Sequence, residues 1–403
     1  MALSPARERA NLWVISAAQF LTLAGMTAIL PLIPLYLPQI GVSDPNSVKY
    51  WTGALASAPF VVAVFATPVW GIAGDRIGHK PMVVRAVAGI AVAAIGMGVA
   101  TTPFELLGWR AVQGAVSGVF PAAVALVSAL TPEERIGSAL GVLQGARTAG
   151  GLAGPFVGGV ITDLVGVRPL FFLAGALSIV ATIVCYLVIE EERKPHLSSG
   201  VRSHHDDVRL VDLMRARSTL GMLALMVAFQ VTLMTSYPTF ALFVAHLGVA
   251  PGAVATTTGL LFAASGVPAL LTAPYWGRLA DRFGFMPLII LSLIATGAAT
   301  ALVGLVGDRL ARIFVLRALA GVSLAGFTPL AFAWMGAKVT AAARGRMAGL
   351  GSTAMMLGNV IGPPLGSWLA VHVGLAATFY VPGLGLLLSG LVLGAGYVVI
   401  GRA

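Results

Sequence analysis

Charge is scarce in this sequence, and cysteine scarcer. Only 10% of the 403 residues are Asp, Glu, Lys or Arg against 58% hydrophobic ones, and a mean hydropathy of +0.93 lies far outside the balance of a water-soluble domain. A single cysteine, Cys185, excludes any disulfide within the chain. There is no G-x-x-x-x-G-K-[ST] loop and no soluble domain to carry one, which argues against an ATP-driven pump. The six histidines (positions 79, 196, 204, 205, 246 and 372) sit in loops or at the ends of apolar runs, without metal-ligand or triad spacing. No metal, cofactor or catalytic cluster is therefore expected, and an enzyme is not. Segments of about ten residues with alternating polarity are also missing, which excludes a transmembrane barrel.

What is present is a series of runs apolar on every face, such as Trp13 to Leu37 and Leu288 to Val306, each near the 20 or so residues needed to cross a bilayer core as a helix. The pattern predicts spans at 12–37, 49–73, 82–101, 104–130, 137–162, 169–189, 218–244, 254–277, 286–306, 310–336, 345–371 and 376–400. The chain is thus expected to be an all-α integral membrane protein with twelve transmembrane helices. Arg7 and Arg9 precede the first run as in a secretory signal, but its length and its Pro31 and Pro34 mark it as a retained helix.

The net charge of +10 is a matter of topology. Eighteen of the 25 basic residues fall in the N-terminal tail, the loops after even-numbered spans and the C-terminal tail. Lys49, Arg168, Arg309 and Arg312 fall in odd loops, and Arg110, Arg147 and Arg317 inside predicted helices. By the positive-inside rule both termini are expected in the cytoplasm, and no nucleic-acid partner is implied. A soluble linker at 190–217 divides the chain into an N-terminal half, 1–189, and a C-terminal half, 218–403.

These halves repeat each other. Thr67-Pro68-Val69-Trp70-Gly71 with Asp75-Arg76-Ile77-Gly78 recurs 206 positions later as Ala273-Pro274-Tyr275-Trp276-Gly277 with Asp281-Arg282-Phe283-Gly284. Arg110-Ala111-Val112-Gln113-Gly114 with Gly118 returns as Arg317-Ala318-Leu319-Ala320-Gly321 with Ala325, 207 on. Gly150, Gly154-Pro155 and Gly158 return as Gly358, Gly362-Pro363 and Gly366, 208 on. Such a fixed offset is the mark of internal duplication.

Together these motifs resemble the major facilitator superfamily, and within it the drug:proton antiporters of twelve spans. The resemblance covers essentially the whole chain and implies two pseudo-symmetric six-helix bundles that rock about a midplane cavity. The stretch from Gly71 to Pro81 is similar to the superfamily's signature in the loop between spans 2 and 3, in which Gly71 and Gly74 are expected to turn the backbone. Gly71, Asp75, Arg76, Gly78 and Lys80 are then expected to form a conformational latch, mirrored more weakly by Gly277, Asp281, Arg282 and Gly284. The bland reading is a pair of reverse turns carrying topology-setting charges.

An arginine inside a membrane helix is costly and normally faces protein or a water-filled cavity. Arg110, Gln113 and Ser117 are expected on one helical face. In the resembling family the fourth-span arginine accompanies proton coupling. The mid-membrane acid found on the first helix of many proton-coupled members is missing here, so Glu105 and Asp163, near the outer ends of spans 4 and 5, are the carboxylates expected near Arg110, with Asp75 on the inner side. The alternative is that Arg110 only bonds helix carbonyls.

The run Gly145 to Gly159, containing Arg147, Gly150, Gly154, Pro155, Gly158 and Gly159, resembles the motif that accompanies antiporters, with a looser copy at Gly362 and Pro363. Its glycines permit close helix approach, and Pro155 allows a bend at the seam between halves. General packing by small residues is the alternative for the stripe. Arg147 adds a second buried cation, which would suit anionic or zwitterionic substrates or be satisfied by carbonyls alone. Gln19, Thr22, Met26, Ser117, Gln230, Met234, Tyr237 and Phe327 are candidate cavity residues. The resemblance implies a monomer in the inner membrane exporting small drug-like or anionic organic molecules in exchange for protons. Proton-coupled uptake is the rival, since fold alone does not give direction.

Overall fold

The computed structural model describes residues 5–191, 217–306, 309–340 and 343–400, and every regular element among them is helical. Twelve stretches of these residues are long and apolar enough to cross a membrane. Spans 1 to 6 are Arg7–Ile40, Pro45–Gly74, His79–Val99, Pro103–Leu130, Glu133–Val165 and Val167–Val188. Spans 7 to 12 are Arg217–Ser236, Pro251–Phe283, Phe285–Val306, Leu310–Ala337, Arg344–His372 and Ala377–Tyr397. The chain is a multi-pass membrane protein, with each predicted span in place and most ends displaced by a few residues.

The largest displacements have local causes. Span 1 is regular only to Ile29 and then advances through short helical turns to Ile40, because Pro31, Pro34 and Pro38 each remove a ladder donor. Span 7 ends as a helix at Ser236, not near residue 244, and Phe240–His246 forms a separate short helix. Span 2 starts at Pro45 under an Asp44 cap, whose carboxylate accepts from the Ser47 N–H at 2.7 Å. Span 4 starts under a Thr102 cap, whose hydroxyl accepts from the Glu105 N–H, while the Glu105 carboxylate reaches back to the Thr101 N–H at 2.8 Å.

The expected loop from Gly71 to Pro81 is not a loop. The helix of span 2 continues to Ile77, Gly78 turns the chain at φ 108°, and the next helix begins at His79. Its second copy behaves alike, with the helix running to Phe283 and the turn at Gly284 (φ 82°). Gly71 and Gly74 are helical, so the turn rests on Gly78, where an L side chain would be strained.

The described chain forms two compact units, one of residues 1–200 with 250–259 and the other of 201–249 with 260–403. Residues 192–216, most of the predicted linker, lie outside the described residues. In the first unit span 1 packs on spans 5 and 6, span 2 on span 4, and span 3 on span 6. In the second, span 7 packs on spans 11 and 12, and span 9 on spans 10 and 12. Ile15, Val83, Val87, Leu126, Leu143 and Cys185 centre the first core. Met222, Met226, Phe229, Phe327, Leu330 and Met335 centre the second. Lipid tails are as apolar as leucine, so such helices gain by close packing at small residues more than by burial itself.

Candidate functional site

The span-4 arginine is placed by a close helix crossing. At Gly114 a Cβ would stand 2.3 Å from the Pro59 carbonyl oxygen, so only glycine lets spans 2 and 4 meet there. Arg110, one turn away, is 3% exposed. Its Nε donates to the Leu55 carbonyl at 2.8 Å and its Nη1 to Gln113 Oε1 at 2.7 Å. Span 10 repeats the arrangement. A Cβ on Gly321 would lie 2.1 Å from the Ser265 carbonyl oxygen, and Arg317 donates through Nε to the Leu261 carbonyl at 3.4 Å and through Nη2 to Ser265 Oγ at 2.9 Å.

Of the residues expected to work together here, the structure joins Arg110 and Gln113. Ser117 leaves the shared face because the helix stops at Ala115 and resumes at Val119. Glu105 is exposed and occupied by its cap. Asp163 accepts from the Ala255 N–H at 3.2 Å and the Thr256 N–H at 2.6 Å, all within the first unit. The backbone partner of Arg110 is the carbonyl bond that sequence reasoning held as the alternative.

At the first turn motif the side chain of Asp75 lies outside the described residues, and Arg76 is exposed, as are Gly277, Asp281, Arg282 and Gly284. Lys80 is held inside its own unit: its ammonium donates to the Ile189 carbonyl and lies 5.5 Å from the Tyr186 ring centre. The acceptor that organises the turn is Glu191, which sequence reasoning assigned to the linker. Its carboxylate takes the His79 and Lys80 N–H groups at 2.9 and 3.0 Å, an anion on the positive end of the span-3 helix. The run Glu190-Glu191-Glu192 directly after an apolar span was the available signal.

On span 5 the glycine stripe seats the helix against span 1. A Cβ on Gly150 or Gly154 would stand 2.4 Å from the Phe20 or Ala24 carbonyl oxygen, and one on Gly158 2.6 Å from the Ala28 Cβ. Gly150, Gly154 and Gly158 thus form a joint to span 1 within the first unit, and a Cβ on Gly159 would stand 2.3 Å from the Ala255 carbonyl oxygen at the start of span 8. Gly358, Gly362 and Gly366 seat span 11 on Gln230, Met234 and Thr235 of span 7 in the same way. Pro155 and Pro363 both lie inside continuous helices.

Arg147 is half-buried, its guanidinium carbon 4.4 Å from the Phe120 ring centre, with no hydrogen-bond or ion-pair partner among the described residues. Gln19 and Thr22 are buried, Thr22 bonding back to the Ala18 carbonyl, and Met26 packs on the first core. Gln230 donates to Asn359 Oδ1 at 2.7 Å, a pair the sequence reading missed although Asn359 adjoins Gly358. Met234 backs onto Gly362, and Tyr237 lies 4.4 Å from the Phe262 ring centre. Phe327, expected at a cavity, is stacked on Phe229 at 4.3 Å in the second core, 1% exposed.

The sequence profile of the Major Facilitator Superfamily matches residues 15–256 and 240–402. The chain is 30% identical over 370 residues to the multidrug resistance protein MdtG of Proteus mirabilis, covering 92% of this chain and 91% of that one. It is also 30% identical over 377 residues to MdtG of Salmonella arizonae, covering 94% and 93%. Among solved structures it resembles the nucleoside transporter NupG (TM-score 0.77, 12% identity, 96% and 99% covered) and a D-xylose–proton symporter (TM-score 0.75, 15% identity, 95% and 96% covered). At those identities the structures speak to fold alone. Two arginine, tryptophan and glycine sites repeated across twelve membrane helices, a profile matching nearly the whole chain, and relatives matched end to end place this protein in the major facilitator superfamily as a secondary transporter, not an enzyme.

Proposed function

We propose that the protein exports small drug-like organic molecules, anionic ones among them, from the cytoplasm across the inner membrane in exchange for protons. The observation that carries this reading is Arg147. It is a cation on a membrane span, half-buried, resting on Phe120 and lacking a carboxylate or carbonyl partner among the described residues. Such a group is expensive unless something with negative charge meets it during the cycle. A ligand with an acidic group and an apolar body suits a guanidinium lying on an aromatic ring. The similarity to the MdtG proteins favours export of drugs.

In this reading the halves 1–189 and 218–403 rock as a monomer, with both termini cytoplasmic as the basic residues indicate. Arg110 with Gln113 holds spans 2 and 4 in register. Asp163 is the carboxylate whose protonation matters, because a neutral acid would give up the charge-assisted bonds to Ala255 and Thr256 that an anion keeps. Substrate and proton then bind in exclusion, each favouring a different end state. The turn motifs around Asp75 and Asp281 serve as latches of unequal strength.

Everted vesicles energised by respiration supply the test. Anionic, neutral and cationic drugs are added while the pH gradient is followed, for the wild type, Arg147→Gln and Asp163→Asn. Gradient collapse by anions that Arg147→Gln abolishes, and that Asp163→Asn uncouples, is the expected result. Accumulation of solute in right-side-out vesicles without any drug-induced collapse would make the protein an uptake symporter.

A further inference from the structure

Arg85 of span 3 has no place in the transport reading, yet its surroundings are unusual. Its guanidinium carbon lies over Trp70 of span 2, 3.6 Å from the ring centre, and Nη2 donates to the Ser117 carbonyl at 3.2 Å. The Nε and Nη1 groups are buried with no hydrogen-bond partner among the described residues, and so is the hydroxyl of Ser117. Buried donors left unmet are destabilising, and more so when charged. Beside them lies a cavity of about 180 Å³, lined by Arg85, His79, Thr67 and Trp70 together with glycine, alanine, methionine and proline. None of its described lining residues is acidic. The duplicated half offers no counterpart: Leu291 stands 206 positions after Arg85, in an apolar groove.

We propose that this cavity is a binding site for a phosphate-type oxyanion, either a phospholipid headgroup or free phosphate. The anion's oxygens would accept from the guanidinium, which moves slightly off its buried position, and from the Ser117 hydroxyl, with His79 at the cavity wall. The site lies wholly in the first unit, beside the first turn motif, and neither Arg147 nor Phe120 is among its lining residues.

Purified full-length protein, stripped of lipid in detergent, is melted with increasing inorganic phosphate against sodium chloride of equal ionic strength. In parallel, phospholipid retained on gentle purification is counted by native mass spectrometry. Arg85→Gln removes the cation, and Ala122→Leu fills the cavity while leaving Arg85 in place. A saturable phosphate-dependent rise of the melting midpoint in the wild type, lost in both variants, identifies a site open to free phosphate. A tightly retained phospholipid lost in both variants identifies a headgroup site. Neither response in the wild type, or a response that survives Ala122→Leu, overturns the proposal and leaves the cavity to water. A phosphate response seen only in Asp75→Asn overturns it too, since the acceptor for Arg85 would then be that carboxylate.

Discussion

Span 4 and span 10 share an arginine, a glycine crossing and a tryptophan contact, and only one of them is broken. The Trp70 indole donates to the Ala115 carbonyl at 2.6 Å, and Trp276 to the Val322 carbonyl at 2.8 Å, acceptors 207 residues apart. Yet span 10 is one helix, Leu310–Ala337, while span 4 stops at Ala115 and restarts at Val119. Both carry a proline, Pro121 and Pro329, so proline alone does not decide it. The chain turns at Gly118, at φ 107°, where Ala325 stands at the arginines' offset of 207 and the helical Gly326 at the prolines' offset of 208. Glycine enters the left-handed region freely, and alanine does not. Once the chain turns there, Pro121 has no N–H for the Ser117 carbonyl, and Arg85 supplies the donor. In the second half Ser292 and Thr296, where the first has Ala86 and Ile90, serve Ser323 with hydroxyls. The crossing is thus completed with a charge at Ser117 in one half and, one position earlier in the repeat, with hydroxyls at Ser323 in the other.

The largest effect should be one the two halves share. Gly114→Ala and Gly321→Ala each push a Cβ to within 2.3 and 2.1 Å of a backbone oxygen that cannot swing aside. Overpacking of this kind costs about 1–3 kcal/mol, occasionally more. Both variants should lose folded protein by fluorescence-detected size exclusion, to similar degrees. If only Gly114→Ala suffers, the crossing in span 10 is looser than its geometry and the halves are less alike than they look.

Next in size is the break itself. Gly118→Ala should cost about 1–2 kcal/mol for an alanine in the left-handed region, seen as a lowered melting midpoint. Ala325→Gly should cost about 1 kcal/mol as an ordinary helix-interior glycine, with span 10 staying closed. Equal penalties would mean that φ at Gly118 is not what separates the spans.

How much of this was open to sequence reading follows from the range of the interactions. The spans were legible because bilayer thickness imposes a run length that no tertiary contact overrides. The duplication was legible because Trp70, Arg110 and Gly114 answer Trp276, Arg317 and Gly321 at a nearly constant offset. The turn at Gly78 was misplaced because a signature of eleven residues reads as a loop, whereas one positive-φ glycine suffices to reverse two helices. Glu191 and Arg85 were missed for a different reason. Each acts across more than 30 positions on a backbone group, and a backbone acceptor such as the Ser117 carbonyl leaves no letter in the sequence. Phe327 was misassigned because helical spacing cannot tell a cavity wall from a core, which only its stacking on Phe229 reveals.

The smallest expected effect sharpens the comparison most, because it tests the uncharged solution directly. The Ser292 hydroxyl donates to the Ser323 carbonyl at 2.6 Å, and Thr296 to Ser323 Oγ at 2.9 Å, all three residues buried. In an intact helix the Ser323 carbonyl also has the N–H of Phe327 four residues on, so Ser292 supplies a second bond to an acceptor with two lone pairs. Ser292→Ala should therefore cost only about 0.5–1.5 kcal/mol, the usual net worth of one hydrogen bond, and leave span 10 helical. Arg85→Gln should cost the first unit more, because the Ser117 carbonyl has no ladder donor to fall back on once Pro121 stands in that place. Thermal melting of the two variants in the same detergent checks the order. Should Ser292→Ala prove the costlier, the hydroxyl pair and not the continuous ladder is what keeps span 10 unbroken, and the arginine in the first half would be filling a gap rather than replacing a bond.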